Sequence, residues 1–286
     1  MSKGALIFAQ NNSEIDYVKI AIFAAKRVKE YLGIPVSLVT DSKTWLYESD
    51  INPEEVFDKI IDISANNDFI KGQNRSFHDG TVTRKILKWK NFSRSDCYDL
   101  SPYDETLVLD SDYIVCSESL KNIWDNAYDF AIYKEAYDLA RWRVPYHYIN
   151  QYSVPFYWAT VFYFKKTPNT EAFFELIKHI KENWTYYRML YSIDAITYRN
   201  DFSFSIAINI MNGGNPTGDF VSPLPGKLYY AIDKDVILDI KDNKCKLLVE
   251  KENFPGEYTA LKTNGIDVHL MNKYSMARII DEGAQG

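Results

Sequence analysis

What the 286-residue sequence lacks excludes several classes of protein. It contains no apolar run of about 18 residues, the length that would predict a membrane-spanning helix. Its three cysteines, Cys97, Cys116 and Cys245, form no C-x-x-C pair, so the sequence predicts buried, reduced thiols rather than a disulfide framework. Basic residues are not in excess, since the formal net charge is −6. This balance argues against a broad nucleic-acid-binding face, although not against a local basic groove.

Internal repeats and linkers rich in Pro, Gly and Ser are also missing, so we expect a single domain over residues 1–286. The apolar run at residues 5–9 is too short for the hydrophobic part of a secretory signal. These absences predict a cytoplasmic protein with no membrane partner. They leave the oligomeric state open.

The first forty residues have the pattern of a strand, a loop, a helix and a second strand. Residues 4–9 are an apolar run suited to a buried parallel strand. Ser13 and Asp16 resemble a capping box, and apolar residues at helical spacing follow it as far as Gly33. A second strand is predicted over residues 36–40. Such a βαβ unit is right-handed with parallel strands, so the sequence predicts an α/β fold with a mostly parallel sheet flanked by helices.

The rest of the chain continues this alternation less regularly. A polar stretch over residues 64–81 is predicted to be a long loop. The remaining predicted helices cover 83–92, 170–183 and 187–211, and the remaining predicted strands cover 60–63, 106–109, 130–133 and 160–164, with short ones near Leu228, Val236 and Val268.

The strongest chemical signal is a pair of aspartates at the end of a buried strand. Asp110 and Asp112 follow an apolar run and are separated by Ser111. Because side chains alternate along an extended chain, both carboxylates point to one side. Ligands gather at the carboxyl ends of strands in open α/β sheets, and paired carboxylates suit Mn²⁺ or Mg²⁺. A solvated strand end is the alternative interpretation.

A late histidine and lysine form a second signal. His269 lies on an apolar strand, where a lone histidine is more often a core residue than a ligand. With an aspartate pair elsewhere, a neutral imidazole can complete a metal shell. Lys273, four residues later, would then reach a diphosphate as a point charge.

A third signal is basic. On the predicted helix over residues 83–92, Arg84, Lys85 and Lys88 share one face, which either neutralises phosphate or is simply solvated. Asp41 ends the second strand and either holds a ribose or base edge or stabilises a turn.

The order of these motifs resembles a known family. Residues 9–12, 39–41, 84–89 and 109–112 and the late His269 together resemble the GT-A fold glycosyltransferases with a D-x-D metal site. The glycogenin and galactosyltransferase-like family is the most similar, and the chain also resembles uncharacterised phage-borne transferases. The resemblance implies a Rossmann-like GT-A domain with a nucleotide-sugar half over about 1–115. An irregular acceptor half would cover about 116–286.

The resemblance also implies roles for individual positions. Mn²⁺ or Mg²⁺ would be bound by Asp110, Asp112 and His269, and the diphosphate by Lys273. Asp201 resembles an acidic position near the donor sugar. The nucleotide sugar would be bound by Ala9, Gln10, Asn11, Asp41, Arg84, Lys85 and Ser111.

Two positions depart from the family. The family often has H-x-x-G-x-x-K, whereas Lys273 follows His269 by four residues and no glycine intervenes. Residues 157–160 stand where the family often has a Ser-Gly pair, so the shape of the donor sugar cannot be transferred.

The implied activity is metal-dependent transfer of a sugar from a nucleoside-diphosphate donor, UDP first among them, with retention at the anomeric carbon. If the reaction instead inverts, a carboxylate base is needed near the acceptor, and Asp194 or Asp201 would supply it.

The acceptor has two interpretations. A saccharide or small molecule is favoured, in keeping with the aromatic residues Trp142, Tyr146, Tyr148 and Tyr152. The alternative is hydroxymethylated cytosine in DNA, in the host cytoplasm if the chain is phage-encoded, because cations mixed with aromatics suit bases and phosphates. The acceptor residues named on these grounds are Arg141, Trp142, Arg143, His147 and Trp158.

Two other classes compete with the transferase. A nucleotidyltransferase would carry a Gly- and Lys-rich loop after the first strand, and residues 10–13 are not such a loop. An inactive, lectin-like module that keeps the fold would bind sugar nucleotide without turnover, and the intact Asp110 and Asp112 pair counts against it.

Overall fold

The computed structural model describes residues 1–42, 53–65, 72–90, 93–141, 144–150 and 154–283. Two 3₁₀ segments lie at Ser93–Asp96 and Ser119–Asp125. The helices are α1 Tyr17–Leu32, α2 Pro53–Val56, α3 Cys97–Leu100, α4 Pro168–Glu182, α5 Trp184–Leu190, α6 Asn200–Met211 and α7 Lys273–Gly283. The strands are β1 Lys3–Phe8, β2 Val36–Thr40, β3 Lys59–Asp62, β4 Gln73–Asp79, β5 Thr83–Trp89, β6 Glu105–Asp110, β7 Tyr113–Ile114, β8 Phe130–Tyr133, β9 Ala136–Asp138, β10 Trp158–Lys165, β11 Leu228–Ala231, β12 Val236–Lys241, β13 Lys244–Glu250, β14 Tyr258–Lys262 and β15 Val268–Leu270.

A six-stranded central sheet in the order β3-β2-β1-β6-β10-β8 forms the centre of the fold. Strands β3, β2, β1 and β6 pair in parallel, while β10 runs antiparallel to both of its neighbours. The predicted α/β fold, with a mostly parallel sheet flanked by helices, is therefore confirmed. Strand β2 and the last five residues of β1 are buried, as expected for a sheet covered on both faces.

A second sheet contains strands from both the middle and the end of the chain. Its order is β7-β15-β11-β9, and β15 runs antiparallel to β7 with Val268 opposite Ile114 and His269 opposite Tyr113. This pairing carries residues late in the sequence to the end of β6. Two smaller antiparallel sheets complete the described structure, the meander β12-β13-β14 and the hairpin β4-β5.

Local sequence explains where the first helix begins and ends. Asp16 is its N-cap, with the side chain accepting from the Lys19 backbone N–H, and Gly33 closes it at φ 68°. The predicted Ser13 capping box is therefore wrong, because the helix begins at Tyr17. The three cysteines are free and buried, as predicted.

The predicted helix over residues 83–92 is also wrong. Thr83–Trp89 is strand β5, paired with Gln73–Asp79, which lies in the segment predicted to be a loop. On a strand, Arg84 and Lys88 share one face and Lys85 lies on the other. The helical region predicted from about residue 187 to 211 consists of two helices, α5 and α6. Within the described residues, no helix has the length and apolar character needed to cross a membrane.

Gly4 offers a test of the packing beneath β1. A Cβ added there would lie 2.3 Å from Cζ of Tyr103. The ring cannot swing away easily, because its hydroxyl bonds Ser37 Oγ at 2.7 Å and the residue is buried. We expect Gly4→Ala to lower the free energy of unfolding by about 1–3 kcal/mol, measured by urea titration. The double variant Gly4→Ala/Tyr103→Leu should lose less than the two single variants added together. An unchanged urea midpoint in Gly4→Ala would contradict this packing.

Candidate functional site

A cavity of about 430 Å³ opens at the carboxyl ends of β1 and β6. Phe8 and Asp110, the last residues of these strands, are paired in register and both line it. Further walls come from the start of α1, the β4-β5 hairpin, the start of β10, the start of α6 and the chain from His269 to Lys273. This is the edge at which ligands bind in open α/β sheets.

Three potential metal ligands converge in this cavity. Asp110, Asp112 and His269 each present one ligand atom, and these atoms lie within 4.8 Å of one another. The pairing of β15 with β7 produces this meeting, and the Leu270 backbone N–H also donates to the Asp112 carbonyl at 2.9 Å. His269 Nε2 lies 3.2 Å from Asp112 Oδ2 and 3.9 Å from Asp110 Oδ2. The structure thus brings together the three residues predicted as metal ligands.

Two cations lie against the two carboxylates. Lys273 Nζ contacts Asp112 Oδ2, with both side chains about nine-tenths buried or more. Arg94, which is 1% exposed, donates from Nη2 to Asp110 Oδ1 and from Nη1 to the Ala159 carbonyl. Each aspartate therefore has its own cationic partner, and these contacts compensate for part of the cost of burial.

Burial and these partners together shift the pKa values of the two aspartates in opposite directions. Burial alone would raise the pKa of Asp112, but the charges of Lys273 and His269 and their hydrogen bonds hold it well below its ordinary value. Burial raises the pKa of Asp110, although the nearby Arg94 opposes the rise, and the charge of Asp112 adds to it.

The donor set fits a divalent cation that prefers oxygen with some nitrogen. Asp110 Oδ1 accepts a hydrogen bond from Arg94, whereas Asp110 Oδ2 lies on the His269 side. Oδ2 is therefore the Asp110 oxygen that is available to a metal. Asp112 Oδ2 is contacted by both His269 and Lys273. A metal ion and the Lys273 ammonium would therefore compete for that oxygen. Two carboxylates with one imidazole suit Mn²⁺ or Mg²⁺ better than metals that prefer thiolate.

Of the residues predicted to bind the nucleotide sugar, Gln10 and Ser111 line the cavity. Neither amide atom of Gln10 has a hydrogen-bond partner among the described residues, although the side chain is buried. Asn11 is tied into α1, because its Nδ2 donates to Asp16 and its Oδ1 accepts from the Val18 backbone. Ala9 is buried but is not one of the cavity-lining residues.

The other predicted nucleotide-sugar residues, Asp41, Arg84 and Lys85, do not line the cavity, although the first two contact the lining residues Lys90 and Ser76. Asp41 accepts from Ser42 Oγ and pairs with Lys90, each at 2.7 Å. Lys85 pairs with Glu14 at 2.6 Å, and Arg84 donates from Nε to Ser76 Oγ at 2.8 Å.

The two predicted carboxylate bases are placed very differently. Asp201 lines the cavity, where it accepts from the Ala159 backbone N–H at 3.0 Å and pairs with Arg199 at 2.6 Å. Asp194 is exposed in the segment after α5 and is not among the lining residues.

The residues predicted for the acceptor are dispersed. Trp158 lines the cavity, whereas Arg141 is held in ion pairs with Asp138 and Asp235, each at 3.2 Å. His147 is exposed and does not line the cavity. Trp142, Arg143 and Tyr152 lie outside the described residues.

The cavity residues that the sequence analysis missed include Tyr17, Arg75 and Arg94. Tyr17 begins α1 directly after the loop that follows β1, a position at the ligand-binding edge that could have indicated it. Arg75 lies over the Trp89 ring at 5.5 Å, on a strand that was predicted to be a loop. Arg94 lies in a short polar segment with no periodicity, so only the folded chain reveals its contact with Asp110.

Comparison with known proteins gives a resemblance of fold. No protein-family model and no curated protein sequence matches the chain. The glycosyltransferase GlyE of Streptococcus pneumoniae TIGR4 is 16% identical with a TM-score of 0.45, over 78% of this chain and 45% of its own. The galactosyltransferase LgtC, solved with donor and acceptor sugar analogs, is 15% identical with a TM-score of 0.45, over 77% of this chain and 72% of its own.

Mouse xyloside xylosyltransferase 1 is 10% identical with a TM-score of 0.43, over 78% of this chain and 85% of its own. The chain thus spans about half the length of GlyE. At such identities and scores these likenesses carry no argument about activity, which has to come from the site itself.

Proposed function

We propose that this chain is a metal-dependent glycosyltransferase that uses a nucleoside-diphosphate sugar. The observation that carries the proposal is the convergence of Asp110, Asp112 and His269 with Lys273 in one cavity. Hard ligands beside a lysine suit a diphosphate group and the cation that accompanies it. The similar order of motifs in GT-A glycosyltransferases points the same way.

The proposed reaction exchanges one bond at the anomeric carbon for another. The bond to the diphosphate oxygen breaks, and its electron pair leaves with the nucleoside diphosphate. A bond to an acceptor hydroxyl oxygen forms, and the hydroxyl proton passes to solvent. A bound divalent ion would supply Lewis-acid stabilisation of the leaving diphosphate.

The chain's own residues would act mainly through electrostatics. Lys273 and Arg75 are cationic side chains on the cavity wall, suited to the charge that develops on the diphosphate. Arg94 would hold the Asp110 carboxylate in one orientation through its contact with Oδ1. Gln10, with both amide atoms free among the described residues, is suited to a base edge.

Retention is the favoured stereochemical outcome because Asp201 is poorly placed to act as a free base. Its carboxylate already accepts from the Ala159 backbone and pairs with Arg199. An inverting reaction would need a base with an available oxygen near the acceptor.

The direct test is nucleoside-diphosphate release from a panel of UDP-, GDP- and ADP-sugars with Mn²⁺. We expect slow release from one donor class, its loss in EDTA and its return when Mn²⁺ is added back. Thermal unfolding gives a second readout, because an ion at 100 times its Kd stabilises a protein by about 2.7 kcal/mol. If no donor is cleaved and Mn²⁺ leaves the melting temperature unchanged, the proposal is wrong.

A further inference from the structure

The outer face of the β4-β5 hairpin differs in charge from the rest of this acidic chain. By strand register, this face consists of the cross-strand pairs Asn74–Lys88, Ser76–Ile86 and His78–Arg84. None of its six side chains is a carboxylate, whereas the whole chain has a net charge of −6. The opposite face packs on the protein through the buried Phe77 and Leu87, so Arg84, Ile86 and Lys88 on the outer face are exposed, whereas Nδ1 of His78 is buried.

The two outer cations are not neutralised by the part of the protein that the structure describes. There, Arg84 has only its bond to Ser76 Oγ, and no ion pair involves Lys88. In contrast, Lys85 on the inner face pairs with Glu14, and Lys90 beyond the strand pairs with Asp41. At the His78 end of this face, the Asp233 carboxylate accepts from the His78 backbone N–H at 3.3 Å.

This face is continuous with the cavity. Asn74 and Ser76 belong to it and also line the cavity wall. Arg75 lies between them in sequence and lines the same wall, with its guanidinium over the Trp89 ring. A ligand lying across the hairpin would therefore reach the proposed transfer site without leaving the protein surface.

The geometry of the face fits the major groove of duplex DNA. A two-stranded β-ribbon is an element that this groove admits. Arg84 and Lys88 are four residues apart on one strand, a rise of about 13 Å, so a ribbon lying along the groove would place them at two separate points along its border. The two cations can therefore reach the phosphates that border the groove. Between them Ile86, 66% exposed, faces the groove floor, where C5 substituents of pyrimidines project.

We propose that the outer face of the β4-β5 hairpin binds duplex DNA and delivers an acceptor hydroxyl, carried on a pyrimidine C5 substituent, to the cavity. This inference rests on the proposed glycosyl transfer and names its acceptor class. An anionic polysaccharide would be matched better by an unbroken row of cations than by an isoleucine between two of them. The local charge explains how an acidic protein would approach a polyanion.

The test measures binding of the full chain to a fluorescein-labelled duplex of about two helical turns, by anisotropy across a salt series. The variant Arg84→Gln/Lys88→Gln removes two cations from the face. Its control, Lys241→Gln/Lys244→Gln, removes two exposed lysines from the β12-β13 hairpin. We expect the first variant to bind about tenfold more weakly at low salt, and the slope of log K against log salt to fall by about 2. The control should bind as the unsubstituted chain does.

Several results would overturn the inference. These are no binding at low salt, equal losses in the two variants, equal affinity for a single strand, or stronger competition by a sulfated polysaccharide than by unlabelled duplex. Metal-dependent nucleoside-diphosphate release in the absence of DNA reports separately on the proposed function. If nucleoside diphosphate is released but DNA does not bind, the proposed transferase activity stands and the DNA acceptor is wrong. If DNA binds but no donor is cleaved, the proposed transferase activity is wrong. Faster release with hydroxymethylated duplex than with unmodified duplex supports both.

Discussion

The Asp112→Asn variant is expected to lose metal-dependent release of nucleoside diphosphate by about 10²–10³-fold. Asp112 Oδ2 lies 3.2 Å from His269 Nε2 and also contacts Lys273 Nζ, so this one oxygen contacts both the histidine and the lysine of the proposed centre. The amide of asparagine keeps the shape of the side chain but removes the charge that holds the cation. The release rate is measured with saturating Mn²⁺ and the donor identified from the panel.

A matched control distinguishes the effect of losing Asp112 on the release rate from the effect of losing any acidic group. Asp219 is exposed and has no ion pair among the described residues, so Asp219→Asn should release nucleoside diphosphate at the unsubstituted rate. The substitution at Asp112 also leaves Lys273 without its ion-pair partner. The urea midpoint of each variant is therefore measured together with its release rate, to show that the variant is folded. A folded Asp112→Asn protein with full metal-dependent activity would remove Asp112 from the centre.

The Arg94→Met variant is expected to lower the free energy of unfolding by about 3 kcal/mol or more. Arg94 is buried and its guanidinium contacts both Asp110 and the Ala159 carbonyl. Methionine fills much of the same volume but leaves a carboxylate and a carbonyl without their donor. Urea unfolding measures the loss. The control is Arg278→Met, which breaks an ion pair of a half-exposed arginine with Asp79 and should cost less than about 1 kcal/mol.

A second substitution identifies the cause of this loss. If the unpaired charge on Asp110 is responsible, Arg94→Met/Asp110→Asn should recover part of the stability that Arg94→Met loses. If the double variant is less stable than Arg94→Met by the full cost of Asp110→Asn alone, the two residues are not coupled. That result would contradict the proposed role of Arg94 in holding Asp110.

The parts of the fold that were predicted correctly have strong local signals. The strand at residues 36–40 and the helix that ends at Gly33 follow from apolar periodicity and a glycine C-cap, which act within a few residues. The 83–92 prediction failed because residues 83–89 mix basic and apolar residues in a way that fits either period. In the structure, residues 83–89 form a strand because they pair with β4. The sequence of β4 is mostly polar, so it gave no indication of a strand partner.

The candidate site shows the same division between local and distant signals. The aspartate pair was identifiable because an apolar run ends directly at it. His269 was harder to assign, because its meeting with Asp112 depends on β15 pairing with β7. The contact of Arg94 with Asp110 depends on a short 3₁₀ segment and carries no sequence signature. The partners of Asp41 and Asn11, which fix them in the structure, could not be foreseen from the sequence either.

The pairing of β15 with β7 also sets the time at which the centre can form during synthesis. His269 follows Asp112 by 157 residues, so at about 5–20 residues per second a ribosome needs roughly 8–30 s to make the intervening chain. During that interval β1, β2 and β6 can already pair, since all three precede Asp112. A chain released before Val268 would thus carry the parallel strands and the aspartates, yet lack the histidine strand and the lysine that complete the cavity.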